Sequence, residues 1–257
     1  MNAFQRVLTV WRRNLDVYLV TWRVNFLPPL LEPMFYLLAF GAGLGGFVKT
    51  MPYRGGEVGY TSFIAPGMIG ISVMFSSFFE CTYGSFIRMY YQKTFDAIIA
   101  TPLSLEEVIL GEMFWGATKS FISVAIMCVV VRAFGFMKFP DLIALPFVAF
   151  LGGLFFASLA MCFTSISPGI DAFNYPIFLF ITPMSLFGGT YFPIEGLPRW
   201  AQNVAKFMPL THLTSITRSI AFGHWDAGVF ARLAVFAVLV GPLMMLAVKL
   251  MKRRLIV

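Results

Sequence analysis

The chain has 257 residues, 59% of them hydrophobic and 12% charged, with a net charge of +7 and a mean hydropathy of +0.81. Soluble domains run near 45–50% apolar and about 25% charged, so a soluble globular class is excluded and the length fits one polytopic membrane unit. The positive charge does not point to nucleic acid: basic residues anchor spans at the cytoplasmic face, and no basic stripe interleaved with aromatics lies outside the apolar runs.

Residues 1–23 set Phe4, Val7, Leu8, Trp11, Leu15, Tyr18, Leu19 and Trp22 on one helical stripe, opposite Gln5, Arg6, Arg12, Arg13 and Asp16. A basic face opposite Trp, Leu and Phe is the pattern of a helix lying in the headgroup plane. No uninterrupted apolar core or A-x-A-like site marks a secretory signal.

Six runs then read as spans of a hydrocarbon core about 30 Å thick. The first is Leu27–Phe47, with Pro28 and Pro29 in its first turn, Glu32 at its mouth and Pro33 as a potential kink. The second is Phe63–Phe79, extended to about Arg88 and holding Glu80; the third is Leu105–Val131, holding Lys119. Leu142–Phe163 is the fourth, with Gly152, Gly153 and Ala157 as a small-residue face for close helix contact. Phe173–Phe187, interrupted by Pro176 and Pro183, is the fifth, and Val229–Leu250 the sixth. Cys81, Cys128 and Cys162 lie in these runs at wide spacing and read as small buried hydrophobes, not as a disulfide or metal framework.

An intramembrane charge costs roughly 2.5–3.5 kcal/mol on insertion scales. Glu80 and Lys119 sit on consecutive antiparallel spans, so that cost is removed if they pair or if they face a hydrated cavity. A purely structural pair remains an equal reading.

Between spans two and three, Met89–Glu112 is the longest polar interruption of the N-terminal half. Phe95, Ile98 and Ile99 share one helical face. Thr101-Pro102 ends that short helix, and Ser104 with Glu107 forms a capping box that restarts the chain. The segment is either an ordinary interfacial loop or a handle on which a soluble partner can push. Arg6, Arg12, Arg13 and Arg23 at one end, and Lys249, Lys252, Arg253 and Arg254 at the other, put both termini in the cytoplasm by the positive-inside rule, and residues 89–104 with them. Arg132 and Lys138, in a loop assigned outside, run against that rule.

Residues 188–228 are punctuated by Pro193, Pro198 and Pro209. Pro198 suits the start of a helix whose Leu197, Trp200, Ala201, Val204 and Met208 form a one-sided stripe; Leu210–Phe222 forms a second. Neither is long enough to span, so a re-entrant outer hairpin is expected.

Two motifs mislead. Gly41–Gly46 matches G-x-G-x-x-G but closes an apolar run instead of following a strand, so Gly41 and Gly45 read as helix-contact residues, and the chain has no nucleotide site of its own. His212 and His224 lack hydrolase spacing, and no Ser-His-Asp set is present.

The whole arrangement resembles the type-2 ABC transporter permease family (ABC-2). Thr182–His212, TPMSLFGGTYFPIEGLPRWAQNVAKFMPLTH, is similar to that family's signature region, and Phe95–Ser120 resembles the branch of nodulation-factor (lipooligosaccharide) exporter permeases. The resemblance implies an all-α polytopic fold: a single transmembrane domain over 1–257, with an interfacial helix over 1–23, a cytoplasmic coupling loop over 89–104 and an outer re-entrant segment over 188–228. It implies a multi-pass permease of the bacterial inner membrane, not itself an enzyme, that dimerises with a second protomer, as a homodimer. ATP and Mg would be bound by a separate cytoplasmic ABC ATPase. Phe95, Asp96, Ile98, Ile99 and Ala100 would couple to that ATPase, and a glycolipid, lipooligosaccharide, polysaccharide or drug would pass between spans one and five of facing protomers. Glu32, Phe35, Tyr36 and Phe187 are candidate pathway residues, and Pro193, Pro198, Trp200 and Pro209 would shape the exit. The competing classes are a stand-alone secondary carrier or channel, which the absence of an evident inverted repeat disfavours, and a membrane-embedded enzyme or assembly factor.

Overall fold

The computed structural model describes residues 2–135 and 141–255; Lys138 lies outside them. Helix α1 (Ala3–Val20) leads through one turn into α2 (Trp22–Tyr36), which continues through π-helical turns at Leu37–Gly43 and a 3-10 turn at Leu44–Gly46. The helical stretch therefore starts earlier than the span expected from Leu27, and its regular hydrogen bonding breaks at Leu37 instead of at the prolines.

A two-stranded antiparallel hairpin follows, β1 (Thr50–Tyr53) and β2 (Gly56–Gly59), an addition to the helical architecture expected. Its two-residue loop, Arg54 and Gly55, has positive φ at both positions, the type I′ arrangement that matches strand twist.

Next come α3 (Tyr60–Tyr91), α4 (Thr94–Ile99), α5 (Leu105–Ala133), α6 (Ala144–Ile166) and α7 (Ile170–Phe187). Two short helices, α8 (Arg199–Phe207) and α9 (Pro209–Ala221), precede α10 (Ala227–Leu255). Among the described residues, α3, α5, α6, α7 and α10 are long and apolar enough to cross a membrane. At about 1.5 Å per residue the 32 residues of α3 outrun the hydrocarbon core, so its last turns reach past it.

The core lies among α3, α5 and α6, where Phe63, Phe78, Phe156, Ile69 and Ile109 are fully enclosed. Small residues set the helix spacing. A Cβ on Gly116 of α5 would stand 2.7 Å from Cys81 Sγ on α3, and one on Gly153 of α6 would stand 2.8 Å from Ser120 on α5. All three cysteines are free, with Cys81 and Cys128 buried and Cys162 half-buried. By contrast, α7 and α10 turn Phe178, Leu179, Val238 and Met245 outward.

The two ends of the bundle differ. At one end lie α4, the capping box of α5 (Ser104 N–H to Glu107 Oε2, 2.8 Å; Glu107 N–H to Ser104 Oγ, 3.4 Å) and the last turns of α10, where Lys252 pairs with Glu106 and Arg254 donates to the Thr164 carbonyl at 2.5 Å. At the other end lie the hairpin, α8 and α9. There Arg54 pairs with Asp226 at 2.8 Å, and Thr217 Oγ1 donates to the Pro66 carbonyl at 2.8 Å.

Candidate functional site

The second expected span carries more than a lone charge. Around Glu80–Gly84 and again at Ile87–Tyr91 the backbone of α3 is π-helical, so turns close on the fifth residue instead of the fourth. That wider turn stacks positions four and five apart and brings Glu80, Ser85 and Arg88 onto one face. On α5, Glu112, Trp115 and Lys119 follow i, i+3, i+7 spacing and line the opposing face.

The two faces mesh into one network. Lys119 Nζ donates to Glu80 Oε2 at 2.7 Å, and Trp115 Nε1 donates to Glu80 Oε1 at 3.1 Å. The Arg88 guanidinium sits between both acids, 2.8 Å from Glu80 Oε1 and 2.5 Å from Glu112 Oε2, with Nε 2.9 Å from the same Glu112 oxygen. Ser85 Oγ donates to Glu112 Oε2 at 2.6 Å and Asn14 Nδ2 of α1 to Glu112 Oε1 at 2.9 Å. Two acids and two bases leave the cluster neutral. Each buried oxygen is hydrogen-bonded, the condition under which charge survives in low dielectric. Glu112 is fully enclosed, whereas the Lys119 side chain keeps 29% of its exposure.

The helix α1 joins this cluster by packing on α5. Val7 and Val10 are buried against Gly111, where a Cβ would meet the Val10 side chain at 2.7 Å, and Trp11 Nε1 donates to Thr118 Oγ1 at 2.8 Å. Phe4, Leu8 and Leu19, the other edge of the same stripe, stay exposed. The stripe is thus divided between a helix contact and an outward apolar edge.

Lys119 opens onto a lateral cavity of about 460 Å³ between α2, α3 and α5, lined among others by Glu32, Phe75, Phe79 and Ser123. Of the expected pathway residues, Glu32 therefore reaches the same cavity as the Glu80–Lys119 pair. Phe35 is 63% exposed and is not among the cavity's lining residues. Tyr36 stacks on Phe40 (6.0 Å), which leans on Tyr191 (5.4 Å), and Phe187 lies edge-on to Trp200 at 6.2 Å. The four do not converge on one site.

The α4 segment divides in two. Phe95, expected on the handle's working face, is fully buried in the core and anchors the helix. Ile98 is half-buried, while Asp96, Ile99 and Ala100 face outward. The hinge before α4 is Lys93, held at φ 52°, a conformation non-glycine residues rarely adopt. Arg88 is five positions before it, so α4 hangs directly below the charge cluster.

In the segment after α7, the residue Pro198 caps α8, and Pro209 is the first residue of α9. The α8 stripe is not single. Ala201 and Ala205 are buried, whereas Trp200 is 64% and Val204 45% exposed. Alanines, not the larger side chains, face the bundle because α8 lies close over it.

Sequence reasoning took Arg88 as the approximate end of the second span and assigned no role to Glu112 or Asn14. The available signal was Glu112 at i+7 spacing from Lys119 on an otherwise apolar helix.

Residues 5–222 match the ABC-2 type transporter family. The chain is 38% identical to Nodulation protein J of Rhizobium leguminosarum bv. trifolii, over 97% of this chain and 94% of that one. It is 34% identical to Nodulation protein J of Sinorhizobium fredii (strain NBRC 101917 / NGR234), again over 97% and 94%. Inner membrane transport permease YadH of Escherichia coli (strain K12) is 22% identical over 95% of this chain and 94% of its own.

Proposed function

Because the chain belongs to the ABC-2 type transporter family, we propose that it is the membrane permease of an exporter driven by a separate cytoplasmic ATP-binding subunit, with Mg-ATP bound only by that subunit. The cargo is an amphipathic molecule such as a glycolipid or lipooligosaccharide. Two permease protomers form a homodimer in the bacterial inner membrane, with both termini and α4 on the cytoplasmic side and α8–α9 re-entrant at the outer face. Membership of the family is the observation that carries this reading.

The shape of α4 supports a coupling role. Phe95 fastens the helix to the bundle, and Asp96, Ile99 and Ala100 remain exposed to meet a partner. Movement imposed there acts on α3 at Lys93 and reaches α5 and α1 through Arg88, Glu112 and Asn14. The apolar outward faces of α7 and α10 suit a lipid or a second protomer. The lateral cavity beside Glu32 and Lys119 gives an amphiphile a polar contact within an apolar wall.

The test is co-purification with a stand-alone ATP-binding cassette subunit, followed by vanadate-sensitive ATPase and vesicle transport assays. The chain is expected to bind that subunit, and Asp96→Lys with Ile99→Asp to abolish transport while leaving membrane insertion unchanged. Transport driven by an ion gradient without any ATP-binding partner would overturn the reading; unchanged transport in the double variant would remove α4 from it.

A further inference from the structure

We propose that the cavity enclosed by the β1–β2 hairpin, the start of α9 and the first turns of α10 is a binding site for an oxyanion such as the phosphate of a lipid or glycolipid headgroup. It lies at the end of the bundle opposite α4 and shares no lining residue with the Lys119 cavity. At about 880 Å³ it is within the range of small-molecule sites, about 300–1,000 Å³.

Charge selects the ligand. Arg54, Lys206, Arg218 and Arg232 line the cavity against one carboxylate, Glu195. Arg54 is already paired with Asp226, so three cations remain against Glu195, which forms no ion pair among the described residues. Arg218 is the deepest of them. It is 7% exposed, has Cζ 3.8 Å from the centroid of the Phe63 ring, and among the described residues donates to carbonyls alone: Phe63 at 3.2 Å, Gly189 at 2.8 Å and Thr190 at 3.4 Å. Carbonyl dipoles and a ring face offset part of the cost of a buried guanidinium, and Glu195 acts on it through space, but no carboxylate among the described residues forms an ion pair with it.

A second, independent observation points to the same cavity. Thr211, which lines it from the first turn of α9, has a buried Oγ1 with no hydrogen-bond partner among the described residues. Buried hydroxyls are normally paired, and an orphan beside a cationic cavity is a donor awaiting an acceptor. A phosphate or carboxylate oxygen supplies that acceptor and the missing negative charge together. Arg232, half-buried, would hold the anion from the α10 side, and Lys206 would close over it. The site's being on the outer face rests on the orientation proposed above; anion binding does not.

The experiment uses the full-length chain in phosphatidylcholine nanodiscs without any ATPase, so failure of coupling and failure of this site are read separately. Dihexanoyl phosphatidate, inorganic phosphate and dihexanoyl phosphatidylcholine are titrated by calorimetry at low salt. Phosphatidate is expected to bind, and Lys206→Gln with Arg232→Gln to weaken it at least tenfold, while Lys252→Gln at the other end has no effect. Matching affinity for inorganic phosphate would mark a free-anion site, and preference for phosphatidate a headgroup site; either supports the proposal. Binding of neither anion, or binding unmoved by the double variant, would overturn it. Both substituted side chains are partly exposed, and an unchanged melting temperature certifies the fold.

Discussion

Glu112 and Arg88 offer a direct test of whether the buried network is one thermodynamic unit. Glu112 is fully enclosed and accepts from Arg88, Ser85 and Asn14. Glu112→Gln leaves one acceptor oxygen for those donors and strips Arg88 of the nearer of its two carboxylates. Arg88→Met leaves Glu112 without its hydrogen-bonded cation, with Arg13 acting on it only through space. Breaking a buried pair from one side costs about 3–5 kcal/mol, so each single variant should lose that much. The double variant restores neutrality, because Glu80 and Lys119 still balance each other 2.7 Å apart. The carbonyl of the substituted amide can still accept from Asn14 or Ser85, leaving a residual loss of about 1–2 kcal/mol for the weakened hydrogen bonds. The cycle should therefore report a favourable coupling of about 4 kcal/mol or more, roughly three powers of ten in the unfolding equilibrium. Reversible unfolding of the four proteins in mixed micelles, by titration with a denaturing detergent, measures it. Additive losses, or single variants that lose under about 1 kcal/mol, would refute the view that these charges compensate one another.

Lys119→Met should be milder, about 1–2 kcal/mol, because the ammonium is partly exposed and Glu80 keeps Arg88 and Trp115; the same unfolding titration checks it. Phe95→Ala should cost about 3–5 kcal/mol of stability as a core truncation, separating it from Ile99→Asp, which should leave the melting temperature unchanged and act only on ATPase coupling. The hairpin tether should depend on pH. The Val229 N–H, ahead of the Arg54 guanidinium, holds Asp226 below the usual carboxylate range. A depressed pKa means that the tether's stability is present above the ordinary carboxylate range and is lost as pH falls through the lowered value. The protection of the β1–β2 amides, measured against their intrinsic exchange rates at each pH, should fall as the pH drops through that window, and Asp226→Asn should remove the dependence.

Five of the six expected spans were legible because an apolar run of this length has few other uses, whereas the run from Leu27 is not among the helices long and apolar enough to cross; the start of α5 was legible because a capping box is local chemistry spelled out over Ser104 to Glu107. Glu80 and Lys119 stood out for the same reason that makes them costly, as charges in apolar runs. What the residues did not disclose depends on phase and distance. The π-helical turns at Glu80–Gly84 and Ile87–Tyr91 rotate Arg88 onto the face of Glu80, whereas uniform 3.6 spacing does not announce such a shift. The Asn14–Glu112 bond joins residues 98 apart, beyond any periodic window. The hairpin's Arg54-Gly55 loop left only a short glycine signal between strands of four residues each.

Phe95 illustrates the general limit. An amphipathic six-residue helix has an apolar side, and the sequence alone does not say whether that side meets a partner or the protein's own core. Burial decides it: the larger ring goes in, where about 25 cal/mol for each Å² of apolar surface rewards it most, and the smaller Ile99 and the charged Asp96 remain outside. Arg88 follows the same logic in electrostatic form. In sequence it is one more cation near a span end, like Lys93. What separates them is Glu112, a carboxylate with no route to water, which holds Arg88 inside the bundle while Lys93 stays at the surface with Asp96, 3.9 Å away. A charge near the end of a span is thus an anchor or a strut according to whether an enclosed counter-charge waits on the neighbouring helix.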